Sequence, residues 1–82
     1  MTQEEIKMKV LPIVGKYLSC NGESDYDLDA SLKECYGADS LDIVQIVMDV
    51  EKDFSITITD EAADAIRTIR DIIDEVQRHI LD

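Results

Sequence analysis

Ser40 is the residue best placed for chemistry, because Tyr36-Gly37-Ala38-Asp39 leads a flexible turn into it and Leu41-Asp42 continues as a helix. A hydroxyl there is exposed, and the partly positive start of a helix favours an anion attached to it. A phosphodiester on Ser40 would gain from both effects. The plain alternative is a first-turn serine that stabilises its helix by about 1 kcal/mol at most. Taken alone, the short motif favours the plain alternative, since such motifs are frequent by chance. A catalytic nucleophile is a poor reading, since serine needs a base and the sole histidine is His79, far along the chain. The G-x-S-x-G elbow of the hydrolases is also missing. No catalytic residue is expected, and the chain is read as no enzyme.

Metal chemistry fares no better. Cys20 and Cys35 form no CxxC pair, and one histidine cannot complete a ligand set. Asp25-Tyr26-Asp27-Leu28-Asp29 resembles the start of a calcium loop, but Ala30 stands where glycine is needed and Tyr36 where the closing glutamate would be. A solvated loop is the better reading. His79 reads as a surface residue in a last helical turn, where a cation is mildly favoured.

The elements that would position Ser40 are helical. Thr2-Gln3-Glu4-Glu5 has the form of a capping box, and Ile6, Val10, Ile13, Val14 and Tyr17 follow at helical spacing. Pro12 removes a donor there and predicts a kink. Ser19 to Asp29 is polar and reads as a long loop, pinned to the core by Leu28 and Leu32. Ser40 to Phe54 is the strongest helix, with Asp39 as N-cap and Asp42 as a first-turn acid. Ile56-Thr57-Ile58-Thr59 alternates but is too short for a strand without a partner, so it reads as a connector with two buried isoleucines. Thr59 then caps a short helix through Ile66. Thr68-Ile69-Arg70-Asp71 opens a final helix lined by Ile69, Ile72, Ile73, Val76 and Ile80. The expected fold is all-α: a small four-helix bundle with three main helices, one short helix and a long first loop, in a single domain over residues 1–82.

The helix after Ser40 carries two apolar stripes. At about 100° per residue, Ile43, Val47, Val50 and Phe54 fall together as a core face. Leu41, Val44 and Met48 form another stripe well round from it, bordered by Asp42, Gln45, Asp49 and Lys52. A surface helix needs only one apolar stripe. A small bundle could bury both; an exposed stripe ending in Met among acids would instead suit protein docking.

Composition narrows the partners. Among 82 residues, 19 acids against 8 bases give a net charge of -11. Such a surface repels nucleic acid and anionic lipid, and attracts proteins with basic patches. On charge alone, the plainer reading that the acids serve solubility is preferred. Free thiols, no signal peptide and no apolar run long enough to span a bilayer lead to the expectation of a cytoplasmic protein.

Gly37-Ala38-Asp39-Ser40-Leu41-Asp42, followed by Val44, Val47-Met48 and Phe54, resembles the attachment motif and second helix of acyl carrier proteins. The match runs on without gaps through Ile58, Asp60-Glu61, Ala63, Ile66, Ile73 and Asp74, closely over the last half of the chain and loosely over the first. The resemblance implies that Ser40 receives 4'-phosphopantetheine from coenzyme A through a phosphopantetheinyl transferase. The thiol of that arm, not a cysteine of the chain, then holds acyl groups as thioesters for fatty acid or related polyketide-type biosynthesis. Asp39 would assist the Mg2+-dependent transfer. Leu41, Val44 and Met48 match positions that touch partner enzymes, and Asp42, Asp49, Glu51, Asp60 and Glu61 would form the acidic face that basic docking patches recognise. A monomer whose core opens to shelter an acyl chain is implied.

Some residues depart from the family pattern. Cys35-Tyr36 replaces the usual Asp-Leu, Gln45 and Lys52 stand at acidic positions, and Thr59 replaces a proline. The thinner acidic face leaves open a specialised secondary-metabolite carrier, and a cofactor-free interaction module is the alternative from another class. A peptidyl carrier fits less well, since Gly-Gly-His-Ser or Gly-Gly-Asp-Ser is more usual there.

Overall fold

The computed structural model describes residues 2–18 and 27–80, and each of its three long helices starts on a reciprocal cap. These helices are α1 (Gln3–Tyr17), α3 (Ser40–Phe54) and α5 (Ile69–Ile80), with short α2 (Leu32–Cys35) and α4 (Asp60–Ala65) between them. At α1, Glu5 N donates to Thr2 Oγ1 (3.3 Å) and Thr2 N donates to Glu5 Oε1 (3.1 Å). Accepting these hydrogen bonds from Thr2 holds the Glu5 carboxyl below its ordinary range. At α5, Asp71 N donates to Thr68 Oγ1 and Thr68 N to Asp71 Oδ2, both at 3.1 Å. Thr59 caps α4 by accepting from Ala62 N (3.1 Å). The expected all-α class and the three main helices are observed, with no strand among the described residues. The four-residue α2 is an addition: Ser31 caps it by accepting from Glu34 N.

α1 packs on both α3 and α5. Its buried side chains are Ile6, Val10, Ile13 and Val14; α5 supplies Ile69, Ile72, Ile73 and Val76. The helix runs through Pro12, which is exposed, to Tyr17 without ending. From α3 come Ile43, Ile46, Val47 and Val50. This revises the expected face of α3. Ile46 is fully buried, whereas Phe54 is only half-buried and lies under the Lys9 ammonium, 5.6 Å from its ring centre. The core consists of branched aliphatic residues and Ala38, and no polar side chain is buried among the described residues. In the connector, Ile58 is buried and Ile56 half-buried.

The segment before α3 is tied to the start of α5. Leu32 is fully buried and Leu28 packs on the core. Leu32 N donates to Arg67 O and Arg70 N to Leu28 O, both at 2.9 Å. Arg70 also pairs with Asp29 at 2.6 Å, which lowers the Asp29 pKa and raises that of Arg70. Most of the long loop expected from Ser19 to Asp29, with Cys20, lies outside the described residues.

α3 ends on Ser55, in the left-handed region at φ 57°, with its N–H donating to Glu51 O. A side chain there costs about 1–2 kcal/mol, while glycine loses about 0.5–1 kcal/mol of entropy on folding. Ser55→Gly is therefore expected to stabilise the fold by about 0.5–1 kcal/mol. Urea melts check this; a loss of stability would mean that the serine side chain supports the turn.

Candidate functional site

Gly37, at φ 68°, turns the chain towards α3. A Cβ added there would meet nothing within 4 Å, so glycine serves the backbone conformation and not a close approach. The next residue, Ala38, is buried, and its N–H donates to Leu32 O (3.0 Å). Asp39 then caps α3. Its Oδ1 accepts from Asp42 N (2.9 Å), and Asp42 Oδ2 accepts from Asp39 N (3.3 Å). Ser40 is the first residue of the helix that results. It is exposed, and no hydrogen bond engages its hydroxyl among the described residues. A base is not at hand: the His79 ring is exposed and bonded to Glu75 (3.0 Å).

Leu41, Val44 and Met48 are 63%, 49% and 60% exposed, so the bundle does not bury the second stripe. Asp60 and Glu61 are exposed in the first turn of α4. The other three acids expected on the recognition face, Asp42, Asp49 and Glu51, are engaged within the fold. Asp49 Oδ2 accepts from the Tyr17 hydroxyl of α1 (2.7 Å), which pushes the Tyr17 pKa up. Glu51 Oε2 accepts from Ile58 N (2.7 Å) and fastens the connector to α3. Both carboxylates therefore have a structural role, which the expectation of a purely recognition-directed acidic face missed. Asp42 faces its cap partner, so of the five acids expected on that face only Asp60 and Glu61 lack such ties to the described residues.

Beside Ser40 a cleft of about 100 Å³ opens between α3 and α4, with Val44 and Ala63 in its lining. Lys33 and Arg67 also line it. Sequence reasoning missed both, since nothing in the spacing of positions 33, 40 and 67 announces that they meet. Tyr36, a departure from the family pattern, proves to be a clasp: its hydroxyl accepts from Asp27 N (2.7 Å) and donates to Asp27 O (3.2 Å).

An exposed serine at the start of a doubly capped helix, with an uncovered apolar stripe behind it, suits attachment of a group that other proteins must reach. A family model described as the phosphopantetheine attachment site matches residues 9–76. The chain belongs to the acyl carrier protein family. It is 35% identical to an acyl carrier protein of Exiguobacterium sibiricum over 98% of this chain and all of that one. It is 44% identical to one of Prochlorococcus marinus over 89% of this chain and 90% of that one. Solved acyl carrier proteins share the fold at 28% identity. That of Enterococcus faecalis superposes with a TM-score of 0.76 over 93% of this chain and 95% of its own, and a mitochondrial one from Toxoplasma with 0.77 over 90% and 86%. The protein is thus an acyl carrier working through phosphopantetheine, and not an enzyme. Among the described residues of this carrier, no helix is long and apolar enough to cross a membrane.

Proposed function

We propose that Ser40 is the attachment point of 4'-phosphopantetheine, and that the loaded protein presents acyl intermediates to enzymes of fatty acid or related polyketide-type synthesis. The observation that carries this reading is the Ser40 hydroxyl: exposed, free of internal hydrogen bonds among the described residues, and first in a helix within the matched region. When bound, the arm supplies the thiol that holds acyl groups as thioesters. The residues around Ser40 fit such a group, because the start of α3 is open to solvent and a cleft with two cations adjoins it. Asp39, next to Ser40 in the chain and with one carboxylate oxygen accepting from Asp42 N, is a candidate for a part in the metal-assisted transfer. Leu41, Val44 and Met48 would contact the transferase and later enzymes, with Asp42, Asp60 and Glu61 meeting their basic patches, and Asp49 and Glu51 adding charge from within the fold.

Gln45 and Lys52 are exposed where the family is commonly acidic, which favours a specialised acyl pathway over general service. Incubation with coenzyme A, Mg2+ and a broad-specificity transferase, followed by peptide mass mapping, tests the attachment. Wild type should gain one arm on Ser40, and Ser40→Ala should gain none. An arm persisting in the variant, or never appearing in wild type, rejects the assignment.

A further inference from the structure

A phosphodiester on Ser40 would add negative charge to a chain already at -11. It would do so where the Asp39 and Asp42 carboxylates already occupy the start of α3. Asp42 N, one of the amides that a helix start offers an anion, is bound to Asp39, and Asp39 N is bound to Asp42. The positive end of α3 is therefore largely offset before any phosphate arrives, so the helix alone is a weaker attraction than the sequence implied. Compensation has to come from outside the helix.

Lys33 and Arg67 are in the right place for it. Both line the cleft that Ser40 lines, facing one acid there, Asp64. They come from α2 and from the residue after the cap of α4, and the Leu32 N to Arg67 O hydrogen bond (2.9 Å) holds these segments together. The other arginines are spent: Arg70 on Asp29, Arg78 on Glu75. Neither Lys33 nor Arg67 forms an ion pair among the described residues. Arg67 Nη1 donates to the carbonyls of Asp64 and Ile66, which fixes the guanidinium at the end of α4. Its Nε and Nη2 donors have no partner among the described residues, and a guanidinium fork suits phosphate oxygens.

We propose that Lys33 and Arg67 receive the phosphodiester of the arm, so that the arm leaves Ser40 along the α3–α4 cleft and keeps clear of Leu41 and Met48. This inference rests on the Ser40 reading above. It assigns the two cations a positioning role that leaves Leu41 and Met48 open to partners, while Val44 lines the cleft that the arm follows.

The test compares wild type with a K33Q/R67Q variant and a charge-preserving K33R/R67K variant, each in apo form and after loading. Intact mass first shows whether the arm is on; a wild type that gains none refutes the Ser40 assignment and this inference with it. Amide NMR shifts between apo and loaded wild type should then extend from the neighbours of Ser40 to Lys33, Ala63, Asp64 and Arg67. The 31P resonance should move as salt screens the contact. In K33Q/R67Q the shifts at Ala63 and Asp64 should fall at least about twofold and the phosphorus signal should become indifferent to salt, while K33R/R67K keeps the salt response, which needs only charge, and loses part of the shifts, which need the Arg67 fork. A loaded wild type whose shifts stop at residues 37–42, or a glutamine variant indistinguishable from wild type, overturns the proposal while leaving the attachment site intact.

Discussion

Ile46→Ala should bring the fold close to unfolding, whereas Met48→Ala, two residues on, should leave it nearly as stable as wild type. Ile46 is fully buried and Met48 is 60% exposed, although both are large apolar residues on one helix. Truncating a buried isoleucine to alanine costs about 2–5 kcal/mol, through lost burial and the cavity left behind. Folded proteins have only about 5–15 kcal/mol to lose, and small ones sit low in that range. A substitution at an exposed position usually stays within about 0.5 kcal/mol. Phe54→Ala should fall between them, below the 3–5 kcal/mol of a fully buried aromatic ring, because Phe54 is only half-buried. Urea melts rank the variants, and transferase kinetics on Met48→Ala report on docking. If Met48→Ala unfolded the protein as readily as Ile46→Ala, the exposed stripe would be core and the docking surface would be misplaced.

The division of α3 shows what the sequence could reveal. The exposed stripe and most of the core face follow from the turn of about 100° per residue. Ile46 lies on the far flank of Ile43 from Val47, so a face centred on Ile43, Val47 and Phe54 passes it over. The bounds of α3 and the caps at Thr2, Asp39, Thr59 and Thr68 were legible because capping joins residues three apart, within reach of any local reading. The four residues of α2 are too few to show a period. The left-handed Ser55 carries no glycine to announce it. Contacts set by the packing of distant segments stayed hidden: Tyr17 with Asp49, Asp29 with Arg70, and Lys33 with Arg67 around one cleft. The proposal for Ser40 could be made from sequence because the chemistry it invokes lies in the immediate neighbours of that residue. Its electrostatic surroundings were not legible there, because they depend on where α4 ends.

Glu51 supplies the second large effect, since one carboxylate there combines an observed structural duty with a proposed recognition duty. Its Oε2 accepts from Ile58 N at 2.7 Å, and Ile58 is one of the buried residues that anchor the connector to α4. Its charge would also belong to the field that the proposed basic partners meet. Glu51→Ala removes both acceptor and charge; Glu51→Gln removes the charge but keeps an oxygen able to accept from the same N–H. Loss of a hydrogen bond to a charged group costs about 1.5–3 kcal/mol when buried, and partial exposure of Glu51 should reduce this to about 1–2 kcal/mol for the alanine variant. The glutamine variant should lose less than about 1 kcal/mol, the difference between a charged and a neutral acceptor. Association with a basic transferase should behave differently. Both variants should slow it to a similar extent at low salt, and the deficit should shrink as salt rises, because steering depends on charge and not on the acceptor. Urea melts paired with stopped-flow association at two salt concentrations separate the duties. Equal destabilisation of the two variants would remove the hydrogen bond from the argument, and association rates untouched in both would leave Glu51 a purely structural residue.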